Sequence, residues 1–112
     1  MPSQKLEQKL SLVQSDDITT AFVGSVPVIL INSSRPQGAI VKAVNFVRNG
    51  CHEVQLCFER AGFDQYGKKL WIDTASNLLD NLGVGKERLF LAAPDGEESL
   101  YNSDVIFLRR KV

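Results

Sequence analysis

The sequence predicts an α/β protein in three layers, a mostly parallel sheet of three to five strands with helices on both faces. Three observations carry that expectation. The run VPVILI, Val26 to Ile31, is apolar at successive positions and rich in β-branched residues, the pattern of a strand buried on both sides. Stretches of helical periodicity follow this strand and the next, and each is closed by a glycine. Strand, helix, strand, helix, strand in that order describes two successive βαβ units with right-handed crossovers and parallel strands.

The elements follow in chain order. Leu6, Leu10 and Val13 lie at helical spacing within residues 4 to 14, with Ser3 as a candidate N-cap, which makes residues 1–17 an N-terminal helical extension. After the polar break Ser15 to Asp17, ITTAFVG reads as a short extended segment. Val26 to Ile31 is the first core strand, and Pro27 is tolerated there only because it sits at the start. From Gly38 to Asn49, Ile40, Val44 and Val47 form one apolar stripe, and Gly50 supplies the stop. In EVQLCF, Val54, Leu56 and Phe58 alternate with Gln55 and Cys57, a second strand. A second helix, roughly Lys69 to Leu82, carries Trp71, Ala75, Leu78, Leu79 and Leu82 on one stripe and ends at Gly83. RLFLAA is the third strand, Pro94 to Gly96 form a turn, and DVIFLRR is a candidate fourth strand. Residues 1–112 thus read as a single domain with a βαβαβ core over 26–93, of the flavodoxin-like or Rossmann-like kind.

The chain is 112 residues long with 44% hydrophobic and 23% charged residues, an ordinary globular composition. Thirteen basic residues balance thirteen acidic ones, so no overall field draws it to nucleic acid or to an anionic membrane. No apolar run approaches the roughly 20 residues of a membrane span, and the N-terminus lacks the apolar core of a signal peptide. Cys51 and Cys57 fall along one strand segment, roughly 20 Å apart at about 3.3 Å per residue and beyond disulfide reach. A reducing, cytoplasmic setting is the simpler expectation, for a whole protein or a module of a larger assembly.

In an open parallel sheet, ligands bind beyond the carboxyl ends of the strands. Three loops meet there, carrying Asn32, Ser33, Ser34 and Arg35; then Glu59 and Arg60; then Pro94, Asp95 and Gly96. Asn32, Ser33, Ser34, Arg35, Glu59 and Asp95 are therefore the candidate ligand-binding residues. A helix N-terminus with an arginine and two hydroxyls suits a phosphate or carboxylate, although neither nucleotide-binding glycine fingerprint is present. The plainer alternative is that Ser33 or Ser34 caps the helix while Pro36 and Gly38 set the turn. His52 precedes the second strand, away from the expected ligand edge, which speaks against a triad with either serine. Cys51, His52 and Cys57 do not converge as zinc ligands. No catalytic residue, metal or cofactor is expected. Glu59 and Asp64 form either a carboxylate pair or, for Asp64, a helix cap; Trp71 belongs to the core; Arg109, Arg110 and Lys111 make a short basic tail.

Several of these segments also match a known pattern. VILINSSR, NGCHEVQLCFERAGFDQYG and LLDNLGVGKERLFL, in order between about Val26 and Leu91, resemble the small iron-sulfur subunit of methyl-viologen-reducing hydrogenase, the delta-type subunit associated with heterodisulfide reductase. That family has a strand ending in Cys-Ser-Gly-Arg, a second strand running into a Cys-His-Pro-Gly-Asp-Cys segment, and a helix ending Leu-Leu-x-x-Leu-Gly. Ser33, Arg35, Gly50, Val54, Gly62, Tyr66, Leu78, Leu79, Leu82, Gly83 and Arg88 fit it. Asn32, Glu59 and Asp64 stand where the family has cysteines, and neither an amide nor hard carboxylates replace cluster thiolates well. The resemblance implies a cluster-less relative, a non-enzymatic accessory or interaction module of an electron-transfer complex whose partner is a redox subunit. Two alternatives stay open beside it: a small-anion sensor or enzyme using the first strand-helix loop, and a subunit that self-associates through a sheet edge.

Overall fold

The computed structural model describes residues 18–59, 61–82, 88–94, 96 and 100–110. The expected N-terminal helix lies outside these residues, as do Arg60, Gly83, Asp95 and Lys111. Five strands and two helices are described: β1 Ile18–Val23, β2 Val26–Ile31, α1 Gln37–Arg48, β3 Glu53–Cys57, α2 Gln65–Asn81, β4 Leu89–Ala92 and β5 Val105–Arg110.

ITTAFVG becomes an edge strand. The two-residue link Gly24-Ser25 is too short for a crossover and forces β1 back antiparallel along β2, from Val23 opposite Val26 to Ile18 opposite Ile31. Gly24, at φ 63°, takes the left-handed conformation at the first central position, as in a type II′ hairpin turn. Pro27 is tolerated because the parallel ladder with β3 begins only at Val28, paired with Gln55.

α1 matches the expected stripe to within a residue at each end. Its end is a Schellman motif: the Cys51 N–H donates to the Phe46 carbonyl and the Gly50 N–H to that of Val47, with Gly50 at φ 109°. Arg110 from β5 adds a guanidinium donor to the Val47 carbonyl. α2 starts four residues before the expected Lys69, because the Asp64 carboxylate accepts the Gly67 N–H at 2.7 Å and caps the first turn. Asp64 is a cap.

The expected three-layer, mostly parallel, flavodoxin-like or Rossmann-like sandwich is not what forms. The sheet runs β1-β2-β3-β5-β4, and only β2 and β3 are parallel; the other three pairings are antiparallel. Two causes account for the difference. The unplaced apolar runs at both ends of the 26–93 core join the sheet: β1 as a hairpin, and β5 inserted between β3 and β4, so the second βαβ unit is never closed by direct pairing. The two crossovers, β2-α1-β3 and β3-α2-β4, also advance in the same direction, and right-handed connections then put both helices on one face. The described residues form two layers.

Alternation along the strands decides what the core contains. Ile29, Ile31, Val54, Leu56, Ile106 and Leu108 point to the helices and form one cluster with Ile40, Val47, Trp71 and Ile72. Trp71, 1% exposed, stacks edge-on against Phe58 with centroids 4.9 Å apart.

Candidate functional site

The loop after β2 keeps its predicted residues together. The Ser33 hydroxyl accepts the Arg35 N–H at 3.1 Å, a local turn, so it does not cap α1. Ser34 does not cap it either. The N-cap is Pro36, which supplies no side-chain hydrogen bond, so the expected serine cap is replaced by an uncapped helix start. Ser34, Arg35, Pro36 and Gln37, with Thr74 and Leu78 from α2, line an open cleft of about 350 Å³. Its available chemistry is the Arg35 guanidinium beside the first-turn N–H groups of α1.

The other predicted residues are less gathered. Glu59 is exposed just past β3, the strand next to β2. Asp95 lies outside the described residues, while its neighbours Pro94 and Gly96 follow β4. β4 stands three strand spacings from β2, roughly 14 Å at about 4.8 Å each. Between them β5 brings Asp104, whose carbonyl accepts the Phe58 N–H at 2.7 Å. The loops after β2 and β3 follow adjacent strands, while Pro94 and Gly96 follow β4, further along the same sheet edge.

A polar seam that sequence reasoning missed ties α2 to the segment before β5. The Lys68 ammonium, nearly buried, donates to the Ser103 carbonyl at 3.0 Å and lies 3.6 Å from the Asp104 carboxylate. The Tyr101 hydroxyl donates to Asp73 at 2.9 Å, and Gln65 donates to Asn102 at 3.1 Å. The Asp73 hydrogen bond first, then burial and the Asp73 charge, hold the Tyr101 phenol above the ordinary tyrosine range. One signal was available: Lys68 falls on the same helical stripe as Trp71, Ile72, Ala75 and Leu79, where an ammonium requires a partner.

The second region is the face of the sheet away from the helices. Pairing registers arrange it in rows across the strands. Thr19, Leu30, Cys57 and Val105 form the first and Ala21, Val28, Gln55, Phe107 and Ala92 the second; beyond them Val23 pairs with Val26 at the hairpin, and Glu53, Arg109 and Phe90 line up across β3, β5 and β4. The only charges on these rows pair with each other: Arg109 Nε donates to Glu53 Oε2 at 2.9 Å, and its guanidinium lies 4.6 Å from the centroid of the Phe107 ring. Val28 and Cys57 are 5% and 9% exposed, yet neither belongs to the helix-side core, while Val23 at the hairpin tip is 67% exposed. Among the described residues no helix lies over this face. A sheet face open to water is normally polar; the side chains on these rows are mostly apolar, and Val28 and Cys57 are buried.

The reading as a cluster-less electron-transfer accessory, a degenerate iron-sulfur subunit on a flavodoxin-like scaffold, is corrected by the mixed sheet, and nothing in the geometry supports an electron-transfer or iron-sulfur role. Asn32 and Glu59 are exposed, Asp64 is spent as the α2 cap, and Cys57 points to the helix-free face. Among the described residues no three His, Cys, Asp or Glu side chains gather as a metal-ion set. The mixed sheet also removes the flavodoxin-like scaffold. No described helix is long and apolar enough to cross a membrane. Protein-family models, curated proteins and solved structures were each compared with the chain, and none matches it.

Proposed function

We propose that this protein is a non-enzymatic interaction module that receives an apolar protein segment on the helix-free face of its sheet. The observation that carries this is the composition of that face: mostly Val, Leu, Ala and Phe, with Thr19, Gln55 and Cys57 among them and one internally paired Glu53–Arg109 ion pair. Burying those side chains against a partner removes apolar area from water at about 25 cal/mol per Å². The two free cysteines suit a reducing, cytoplasmic setting, since Cys57 sits within the proposed contact.

The test is a paired substitution at the rim of the face. Val26→Lys and Phe90→Lys together should abolish capture of a defined protein partner, measured by affinity purification and then by titration of that purified partner. Tyr66→Lys, an exposed position on α2, should leave capture intact. Equal binding by both variants would sink the proposal. If the partner is a second copy, sedimentation will show a dimer that the paired substitution dissociates.

A second reading is favoured by one observation, the uncapped start of α1 beside Arg35. A small phosphate or carboxylate held there would raise the melting temperature, and Arg35→Ala would remove the shift. No shift across a panel of inorganic phosphate, nucleotides and dicarboxylates would exclude it.

A further inference from the structure

We infer that the outer edge of β1 is a pairing surface for a second copy of this chain, which joins it antiparallel about a two-fold axis at Thr20. This surface is separate from the helix-free face, and the inference does not depend on what that face binds. The two ends of the sheet differ. β4, at one end, is four residues long, with Lys86, Glu87 and Arg88 just before it in sequence and Pro94 soon after, the charges and proline that keep an edge from pairing. β1, at the other end, is the six-residue strand ITTAFV, which has neither charge nor proline. Among the described residues no strand pairs with its outer side, and Phe22 is 62% exposed.

Ladder geometry tells which backbone groups are free. The tight turn makes Val23 and Val26 a hydrogen-bonded pair, and alternation makes Ala21 with Val28 and Thr19 with Leu30 the others. The N–H and C=O groups of Ile18, Thr20 and Phe22 therefore point away from β2. When the incoming antiparallel strand is β1 itself, one register pairs all of them: Ile18 with Phe22, Thr20 with Thr20, and Phe22 with Ile18. Each of these residues then both donates and accepts a backbone hydrogen bond across the axis.

An extended strand of any sequence satisfies such backbone groups, but two features select a second copy. The strand carries no charge, so pairing with itself sets no like charges opposite one another. The axis also falls on Thr20, whose hydroxyl is buried and has no hydrogen-bond partner among the described residues. Its symmetry mate brings an identical hydroxyl to the same side of the sheet, where one donates to the other. The contact uses the same patch on both copies, so it closes at a dimer rather than growing into a stack.

The experiment uses the full chain. Sedimentation should show a monomer–dimer equilibrium. Thr20→Pro removes an outward donor but no hydrogen bond between β1 and β2, so it should abolish the dimer and leave the far-ultraviolet spectrum unchanged. Thr20→Val should weaken the dimer by up to about fivefold, the worth of one Thr–Thr pair. Register is read by cross-linking in a Cys51→Ser/Cys57→Ser background. Thr19 of one copy and Ala21 of the other form a non-hydrogen-bonded pair across the axis, about 4.5 Å between Cα atoms and within disulfide reach. Thr19→Cys chains mixed with Ala21→Cys chains should therefore give the mixed disulfide in excess of either homodisulfide. A chain that stays monomeric up to about 1 mM overturns the inference. So does an excess of homodisulfides, or a species larger than a dimer. Should Thr20→Pro not fold, the disulfide result decides. The two readings fail separately: a dimer kept in Thr20→Pro but lost in the Val26/Phe90 variant overturns the edge pairing and assigns self-association to the helix-free face. A dimer lost in Thr20→Pro and kept in the Val26/Phe90 variant supports the edge pairing, whatever the outcome of partner capture.

Discussion

The two faces of the sheet are built from alternate residues of the same strands; the helix side is wholly apolar at its centre, while the other mixes Thr19, Gln55, Glu53 and Arg109 with its apolar side chains and faces no described helix. Ile29, Ile31, Leu56 and Ile106 face α1 and α2 and are completely or almost completely buried. Val28, Leu30, Phe107 and Val105, their immediate neighbours, are nearly as apolar but face no described helix. Sequence alternation tells which residues share a face. It does not tell which face receives the crossovers, and here both crossovers fall on one.

That comparison can be broken by substitution. Leu56→Ala, on the covered face, should cost about 2–5 kcal/mol in urea unfolding, because the cavity it leaves is walled by helix and sheet. Val105→Ala, on the other face, should cost less than about 1 kcal/mol, since flanking side chains and water relax around it. Equal costs would mean that the second face is covered as tightly as the first.

Smaller effects sharpen the account of how the covered side is held. Asp64→Ala removes the α2 cap and should cost about 1 kcal/mol, with Asp64→Asn recovering most of it. Tyr101→Phe breaks the seam to Asp73 and should cost about 1 kcal/mol at neutral pH. The same residue sets a pH dependence whose sign follows from its raised pKa. The folded state holds the phenol proton more tightly than the unfolded state, so the contribution is complete below the ordinary tyrosine value of about 10 and is lost as pH rises through the folded value. Stability measured from pH 8 to 11 should therefore fall more steeply in the parent than in the Tyr101→Phe chain. Ultraviolet titration should show a tyrosine transition above the ordinary range in the parent that is missing from the Tyr101→Phe chain.

The smallest effect is expected on the helix-free face. Glu53→Gln removes the partner of Arg109, but both side chains are about a third exposed, so after solvent screening the change should be no more than about 0.5 kcal/mol and should shrink with added salt. A larger, salt-insensitive loss would indicate that the pair is shielded from water by something lying over the face.

Much of the local structure was legible in advance. The α1 stripe, its Gly50 stop, the burial of Trp71 and the Asp64 cap follow from periodicity, positive-φ preference and carboxylate geometry, which are short-range properties. The start of α2 was placed late because Gly67 and Tyr66 read as loop, whereas the Asp64 cap holds both in the first turn. The candidate site was half legible. Asn32 to Arg35 are neighbours in sequence and stay neighbours, and Glu59 follows β3, the parallel strand beside β2, but Pro94 and Gly96 follow β4, which β5 separates from β3.

Periodicity and turn chemistry along the chain were enough to define most helices and strands and to mark which side chains are apolar, since these depend on contacts a few residues apart. Sheet order, the mixed strand directions and the identity of the face that no described helix covers depend on pairings between residues far apart in sequence, Glu53 with Arg109 and Leu91 with Leu108 among them. VPVILI fits a strand with either neighbour and either cover. Its surroundings were chosen by a two-residue hairpin to β1 on one side and the parallel strand β3, reached through α1, on the other, and that arrangement sets the mostly apolar rows on which the proposed function rests.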